Sequence, residues 1–349
     1  MEKVMSRKLI TISTIMTLMS TSVIADVPNV AADIAPIHSL VSRVMDGVGA
    51  PKLIVQSGAS PHGYRLRPSE AKALQDADHV FWMGEELTPW LDSAIGTLAS
   101  KASVTTLLDQ QGVILHDFRE GALFEAHDHS AHGDDDHDDH DDHDDHDDHK
   151  DHDDHDDHDD HDDHKDHDDH DDHDDHDDHG SHDPHAWLSP ENAKLWLNII
   201  ASKLSVSDPE NAATYFMNAA AGQAEIEAMI AEVKATLKPV QGGKFVVFHD
   251  AYQYFENDFD FYASGAISLG DSSDPSPARI EKVQKRIRDE GIQCVLAEPQ
   301  FKKGLVATVM EGSDATASVI DPLGAELETG PKLYTRLIKN MAKTLRNCL

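Results

Sequence analysis

The chain has 349 residues and a formal net charge of −37, with 66 acidic residues against 29 basic ones, so no basic field is available to attract nucleic acid. The charge is concentrated: residues 134–179 hold 29 Asp against Lys150 and Lys165, a run worth about −27 that leaves about −10 for the rest. Without that run and a short leader, the remaining length suits two lobes of ordinary size.

Residues 1–25 read as a secretory signal peptide. Lys3, Arg7 and Lys8 form its basic end, Leu9 to Met19 a short apolar core, and Val23-Ile24-Ala25 a small-residue cleavage point before Asp26. The apolar run is shorter than the ~20 residues a membrane span needs. No cysteine lies near the cleavage point to carry a lipid anchor, so the expectation is a free, exported, periplasmic protein.

Short apolar strands then alternate with helical patterns. Val27 to Ala35 reads as a strand and Ile37 to Val48 as an amphipathic helix. Lys52 to Gln56 is a second strand, followed by the turn-rich loop Ser57 to Tyr64, which contains His62. Pro68-Ser69-Glu70 starts a helix, with Ser69 its expected N-cap. Val80 to Met83 and Ser103 to Leu107 are strands on either side of a helix at Pro89 to Leu98. This alternation implies a parallel, wound sheet.

From His127 to His182 the sequence is a low-complexity run of His and Asp, opening with His127, His129, His132, His137 and His140. It cannot bury enough apolar surface to offset the entropy of ordering it, so it is expected to be disordered. Its period of three places neighbouring imidazoles within reach of one ion, giving multiple, weak and unselective metal sites, or else merely a solvated acidic tether.

The pattern changes at Asp183-Pro184-His185-Ala186-Trp187, where a histidine stands between the run and core-forming residues. A helix is expected over Pro190 to Leu204. A second begins at Asp208-Pro209 and continues to about Leu237, a strut of roughly 40 Å. A second lobe repeats the first. Its strands are Lys244 to Phe248, Ile267 to Leu269, Ile292 to Ala297 and Ala317 to Ile320, with helices at Pro277 to Glu290 and Pro331 to Leu345. The resulting plan has an N-terminal lobe (26–126 and 183–207), the run (127–182), a linking helix (208–238) and a C-terminal lobe (239–349).

Cys294 and Cys348 are the two cysteines, and in an exported chain they are expected to pair. Their wide separation, with no second pair, argues against a metal-ligand role.

Three histidines stand where a site would be built: His62 in a loop after a strand, His185 at the junction after the run, and His249 at the carboxyl end of Phe245-Val246-Val247-Phe248. Ligands of wound sheets bind outside those strand ends. Three imidazoles make a borderline-soft nitrogen site, which favours Zn2+ over Mn2+ or Ca2+. His38 and His79 read as ordinary surface or helix histidines.

Several stretches together resemble the zinc-specific periplasmic binding proteins of bacterial ABC importers, the ZnuA type. They are Ser60-Pro61-His62-Gly63-Tyr64, Asp183 to Pro190, Val247-Phe248-His249-Asp250-Ala251-Tyr252, Ala297-Glu298-Pro299-Gln300-Phe301 and Asp321-Pro322-Leu323-Gly324, with the cysteine pair. The resemblance runs in order through the whole mature chain. It implies two lobes joined by a rigid helix and a metal cleft between them that binds zinc through His62, His185 and His249. It also implies a partner in an inner-membrane ABC permease. Manganese-binding relatives carry Glu where this chain has His249. Some relatives carry Glu just before the first ligand histidine; here that residue is Pro61, which cannot coordinate. The fourth position is then left to water, to Asp321, which matches the Asp ligand of manganese relatives, or to a histidine of the run. The resulting expectation is a monomeric zinc carrier, not an enzyme. A general divalent-metal (Mn/Zn) binding protein, a His-rich metal buffer and, further off, a zinc hydrolase are the rival readings. Asp250 and Glu298 are the candidate general bases for the last, and are otherwise read as supporting groups.

Overall fold

The computed structural model describes residues 27–119, 124, 182–268, 275–300 and 303–349. The expected signal peptide and the run's His127, His129, His132, His137 and His140 lie outside the described residues.

The elements of the first lobe are β1 (Val30–Ala32), α1 (Ala35–Val44), β2 (Lys52–Leu53), α2 (Pro68–Gln75), β3 (His79–Trp82), α3 (Pro89–Leu98) and β4 (Ser103–Thr106). Two long helices follow, α4 (Pro190–Ser207) and α5 (Ala212–Leu237). The second lobe contains β5 (Phe245–His249), α6 (Gln253–Phe259), β6 (Ala266–Ser268), α7 (Pro277–Glu290), β7 (Cys294–Ala297), α8 (Lys303–Met310), β8 (Thr316–Val319) and α9 (Leu333–Cys348). Among the described residues no helix is long and apolar enough to cross a membrane.

Each lobe is built on a four-stranded parallel sheet, and the two sheets share one topology, β2-β1-β3-β4 and β6-β5-β7-β8. In each, the chain steps outward on one side and then returns to build the other, which leaves a crevice at the carboxyl ends of the two inner strands. Those inner strands are buried on both faces, as parallel strands covered by helices must be. Phe245 and Val247 enter the large central core, whereas Val246 and Phe248 enter a smaller outer one. The same period of two puts His249 on the inner side.

The central core also takes residues of α1, α4, α5 and α9, so these helices lie between the two sheets. Separate outer cores cover the first sheet with residues of α2 and α3, and the second with residues of α7 and α8. The 26 residues of α5 span about 39 Å. This helix begins at Ala212, later than expected, because Asp208 spends its carboxylate on Asn211 Nδ2 and Tyr215 Oη (2.7 Å each) and shapes a turn there. The first strand ends earlier than expected, since Ala35 and Pro36 already open α1. Arg67, not Ser69, is the N-cap of α2: its amide donates to Glu70 Oε2 (2.7 Å) while Pro68 takes the first helical position, where a missing N–H costs nothing. His38 is a helix histidine, buried in α1, but His79 is neither surface nor helical: it is buried in β3 with Nε2 2.7 Å from Ser207 Oγ. The Cys294–Cys348 bridge forms and ties the last helix to the amino end of β7.

Candidate metal centre

Three elements deliver the three histidines to the space between the lobes. His62 sits on the loop from β2 to α2. Trp90 Nε1 in α3 donates to Pro61 O (2.6 Å), fixing the backbone just before His62. The same loop is held by Tyr64, whose hydroxyl donates to Glu70 Oε1 (2.8 Å).

His185 follows Asp183-Pro184 in a tight turn. Asp183 Oδ1 accepts from the His185 amide (2.9 Å) and lies 2.6 Å from His185 Nδ1. Burial pushes the Asp183 carboxyl up, but the charge and hydrogen bonds of His185 outweigh it and hold it below the usual carboxylate range. An ionised carboxylate only accepts, so the proton of the His185 ring sits on Nδ1 and Nε2 presents a lone pair.

His249 ends β5. Its Nδ1 lies 3.0 Å from Oε1 of Glu298, which follows β7, and Glu298 Oε2 accepts from Gln300 Nε2 (2.7 Å). The second sheet's crevice is therefore occupied by a histidine from one inner strand and its carboxylate from the other. Glu298 fixes His249 as Asp183 fixes His185, with Nε2 outward.

The two Nε2 atoms are 3.2 Å apart, and both rings are buried. Two imidazole lone pairs facing each other at that distance repel unless a cation joins them. His62, half-buried, completes the group: one ligand atom from each of the three rings lies within 4.8 Å of the others. Its ring centroid is 5.5 Å from that of His185 and 6.3 Å from that of His249. An all-nitrogen donor set of this size suits a small borderline ion. Asp321 lies outside the trio. Its Oδ1 accepts from Leu323 N and Gly324 N (3.0 and 2.8 Å) and its Oδ2 from Ala325 N (2.6 Å), so both oxygens serve its own turn.

Asp250, beside His249, does not face the trio as a free base. It is paired with Arg119, which also binds Glu256 at 2.5 Å. Burial opposes the Arg119 charge, but Glu256 and Asp250 outweigh it and push the guanidinium pKa up. Sequence reasoning missed Arg119 altogether, because a lone arginine shortly before a polar run has no local signature. Glu298, in contrast, is read from the sequence as a supporting group, and it stands 3.0 Å from His249 Nδ1.

The fold and this centre define a class: two-lobed α/β proteins, each lobe on a four-stranded parallel sheet, with a three-histidine cluster between the lobes. The chain belongs to the family described as "Zinc-uptake complex component A periplasmic", which matches residues 30–348. It is 48% identical over 320 residues to the high-affinity zinc uptake system protein ZnuA of Brucella abortus (strain 2308), covering 92% of this chain and 91% of that one. It is 44% identical over 326 residues to the protein of the same description from Paracoccus denitrificans (strain Pd 1222), covering 93% of each. Among solved structures, a crystal structure of ZnuA superposes with a TM-score of 0.68 at 19% identity, covering 93% of this chain and 99% of that one, a likeness of fold.

Proposed function

We propose that this protein captures Zn2+ between its lobes through His62, His185 and His249 and delivers it to the membrane permease of an ABC importer, acting in the periplasm once residues 1–25 are removed. The observation that carries the reading is the pair of Nε2 atoms 3.2 Å apart, each presented by a carboxylate on the opposite ring nitrogen. That arrangement selects a cation and has its ligand geometry set before the metal arrives. Water takes the fourth position, since the oxygens of Asp321 are engaged by backbone amides. A carrier is favoured over a hydrolase, because each nearby carboxylate is committed: Asp183 and Glu298 to histidines, Asp250 to Arg119. None is placed to activate a water as general base. The high-affinity zinc uptake described for the Brucella and Paracoccus relatives supports the same assignment.

Chelator competition on His62→Ala, His185→Ala and His249→Ala, in a chain lacking residues 127–181, tests the site. Each variant is expected to lose more zinc affinity than the about 10–100-fold that loss of an outer hydrogen-bond partner costs. Wild-type affinity in any two of the three would remove the assignment.

A further inference from the structure

The residues on either side of the His/Asp run, 116–119 and 182–183, meet beside His185. Asp183 N donates to His116 O (2.7 Å), and Asp117 and His182 pair as an isolated antiparallel bridge. His182 Nδ1 is also 2.7 Å from Asp117 Oδ1. This two-stranded stem is stapled to α6 of the second lobe. The Tyr254 hydroxyl accepts from His116 N (3.1 Å) and donates to Asp183 O (2.6 Å). Gln253 Nε2 donates to Asp117 O (2.9 Å).

Two residues beyond the bridge, Arg119 reaches into the second lobe. Its Nε is 3.1 Å from both oxygens of Asp250, its Nη2 contacts Asp250 Oδ1, and its Nη1 is 2.5 Å from Glu256 Oε2. The guanidinium also lies 3.6 Å from the centroid of the Phe124 ring. Asp250 and Glu256 are buried, so this is a desolvated three-charge cluster, the kind that holds its geometry and is costly to break. Each arm of the stem therefore braces one metal-centre histidine. The returning arm carries Asp183, which holds His185 Nδ1, and the departing arm carries Arg119, which grips the residue next to His249.

We propose that Arg119 is a positioning residue for the metal centre: a latch that locks the stem of the His/Asp run to the His249–Asp250 turn and so sets how fast the ion is released. The latch rests on the zinc-site assignment made above. It acts through Asp250 and does not touch the ion. It makes the stem, and not the run itself, the element that couples this segment of the chain to the cleft. Lysine is a poor substitute, because an ammonium cannot span two carboxylates as a fork.

The test uses full-length protein. Zinc release into excess chelator would be followed by stopped flow, taking the slow phase as the tight site. The visible spectrum with substoichiometric Co2+ would report ligand geometry. Thermal unfolding is recorded in parallel. Arg119→Ala is expected to speed the slow phase about 10-fold, the lower end of the cost of an outer-sphere partner, and to shift the cobalt spectrum. Arg119→Lys is expected to recover part of both changes. The charge-balanced triple variant Arg119→Met, Asp250→Asn, Glu256→Gln avoids a buried unpaired charge and should still release zinc fast. The exposed pair Lys339–Glu232, broken by Lys339→Ala, should leave release unchanged. A folded triple variant with wild-type release and spectrum overturns the latch. If the triple variant does not fold, wild-type release and spectrum in Arg119→Lys overturn it. Loss of thermal stability in Arg119→Ala with release and spectrum unmoved reduces Arg119 to a structural ion pair and also overturns it. A wild-type protein with no slow phase, or one that keeps it in His185→Ala, would instead remove the zinc-site assignment.

Discussion

Asp33 shows at the residue scale how the two lobes differ at corresponding places. In the second lobe, the crevice between the inner strands holds His249 and Glu298, and the ring points outward to the cleft. In the first lobe, the crevice between β1 and β3 is closed by Asp33, whose Oδ1 accepts from Ile34 N and whose Oδ2 accepts from Met83 N, both at 2.7 Å. Burial pushes the Asp33 carboxyl up to about 7, against the pull of these amides, from an ordinary value of 3.8. A folded-state pKa above the unfolded one means the folded protein binds the extra proton. That contribution to stability is complete below the unfolded value and is lost as pH rises through about 7. Asp33→Asn is neutral throughout. The stability of the wild type relative to this variant, measured by urea unfolding with zinc chelated, should therefore fall between about pH 5 and about pH 8. A difference that stays flat over that interval would show that the carboxyl titrates normally. Nothing in the sequence around Asp33 announces this behaviour, because it comes from burial, which the fold imposes and which the amides of Ile34 and Met83 only partly offset. The three histidines were legible because each follows a buried strand or a proline-fixed turn. Asp183 was visible beside His185, but its hold on Nδ1 is a matter of turn geometry that residue type alone does not give.

At the scale of elements, the disulfide and the metal centre lie at opposite ends of the same strand. Cys294 is the first residue of β7, and Glu298 follows its last. The bridge joins positions 54 residues apart, which is worth about 4 kcal/mol on a chain-entropy account. Replacing both cysteines with alanine should therefore lower unfolding stability by a few kcal/mol. It should leave zinc affinity at room temperature unchanged, because the strand end that orients His249 is held by its parallel neighbours. A loss of affinity in the folded double variant would mean that the bridge sets the site and not only the stability. Strongly patterned elements were readable from sequence: β5 as an apolar run, α7 from Pro277 to Gly291, α9 from its amphipathic face. Elements that depend on tertiary support were not. The short α6 reads Gln-Tyr-Phe-Glu-Asn-Asp-Phe, under two turns, in which only Phe255 and Phe259 are a spaced apolar pair. It exists because Tyr254, Phe255 and Phe259 are buried in the central core. In α8, Gly304 and the β-branched Val306 and Val309 lower helix propensity, and burial of the two valines in the second lobe's outer core overrides it.

At the scale of the whole molecule, charge and preorganisation are divided between two parts of one chain. The run over 134–179 carries about −27 of the −37 total, and the three-histidine centre lies beside the stem from which the run departs. The centre has strand ends, a proline turn and two carboxylates to fix its ligands before an ion arrives. The run's histidines repeat without such supports in the sequence, so each ion they take must order its own ligands. Deleting residues 127–181, which keeps His182 and the stem, should leave one tight zinc and abolish the weak ones. Zinc association should also slow, most clearly at low salt, because a dense anionic field attracts divalent ions over a range that is about 8 Å at physiological ionic strength and longer below it. Histidine coordinates only when neutral, and closely spaced aspartates favour the imidazolium form. Weak binding by the run should therefore fall away as pH is lowered from about 7.5 to about 6, before the tight site does. Calorimetric titration of the full-length and deleted proteins at both pH values, with stopped-flow association at two salt concentrations, measures all of this. If the deletion removes the tight site, the run supplies a primary ligand and the cleft site is not independent. If association is equally fast in both proteins at low salt, the run does not gather ions for the cleft.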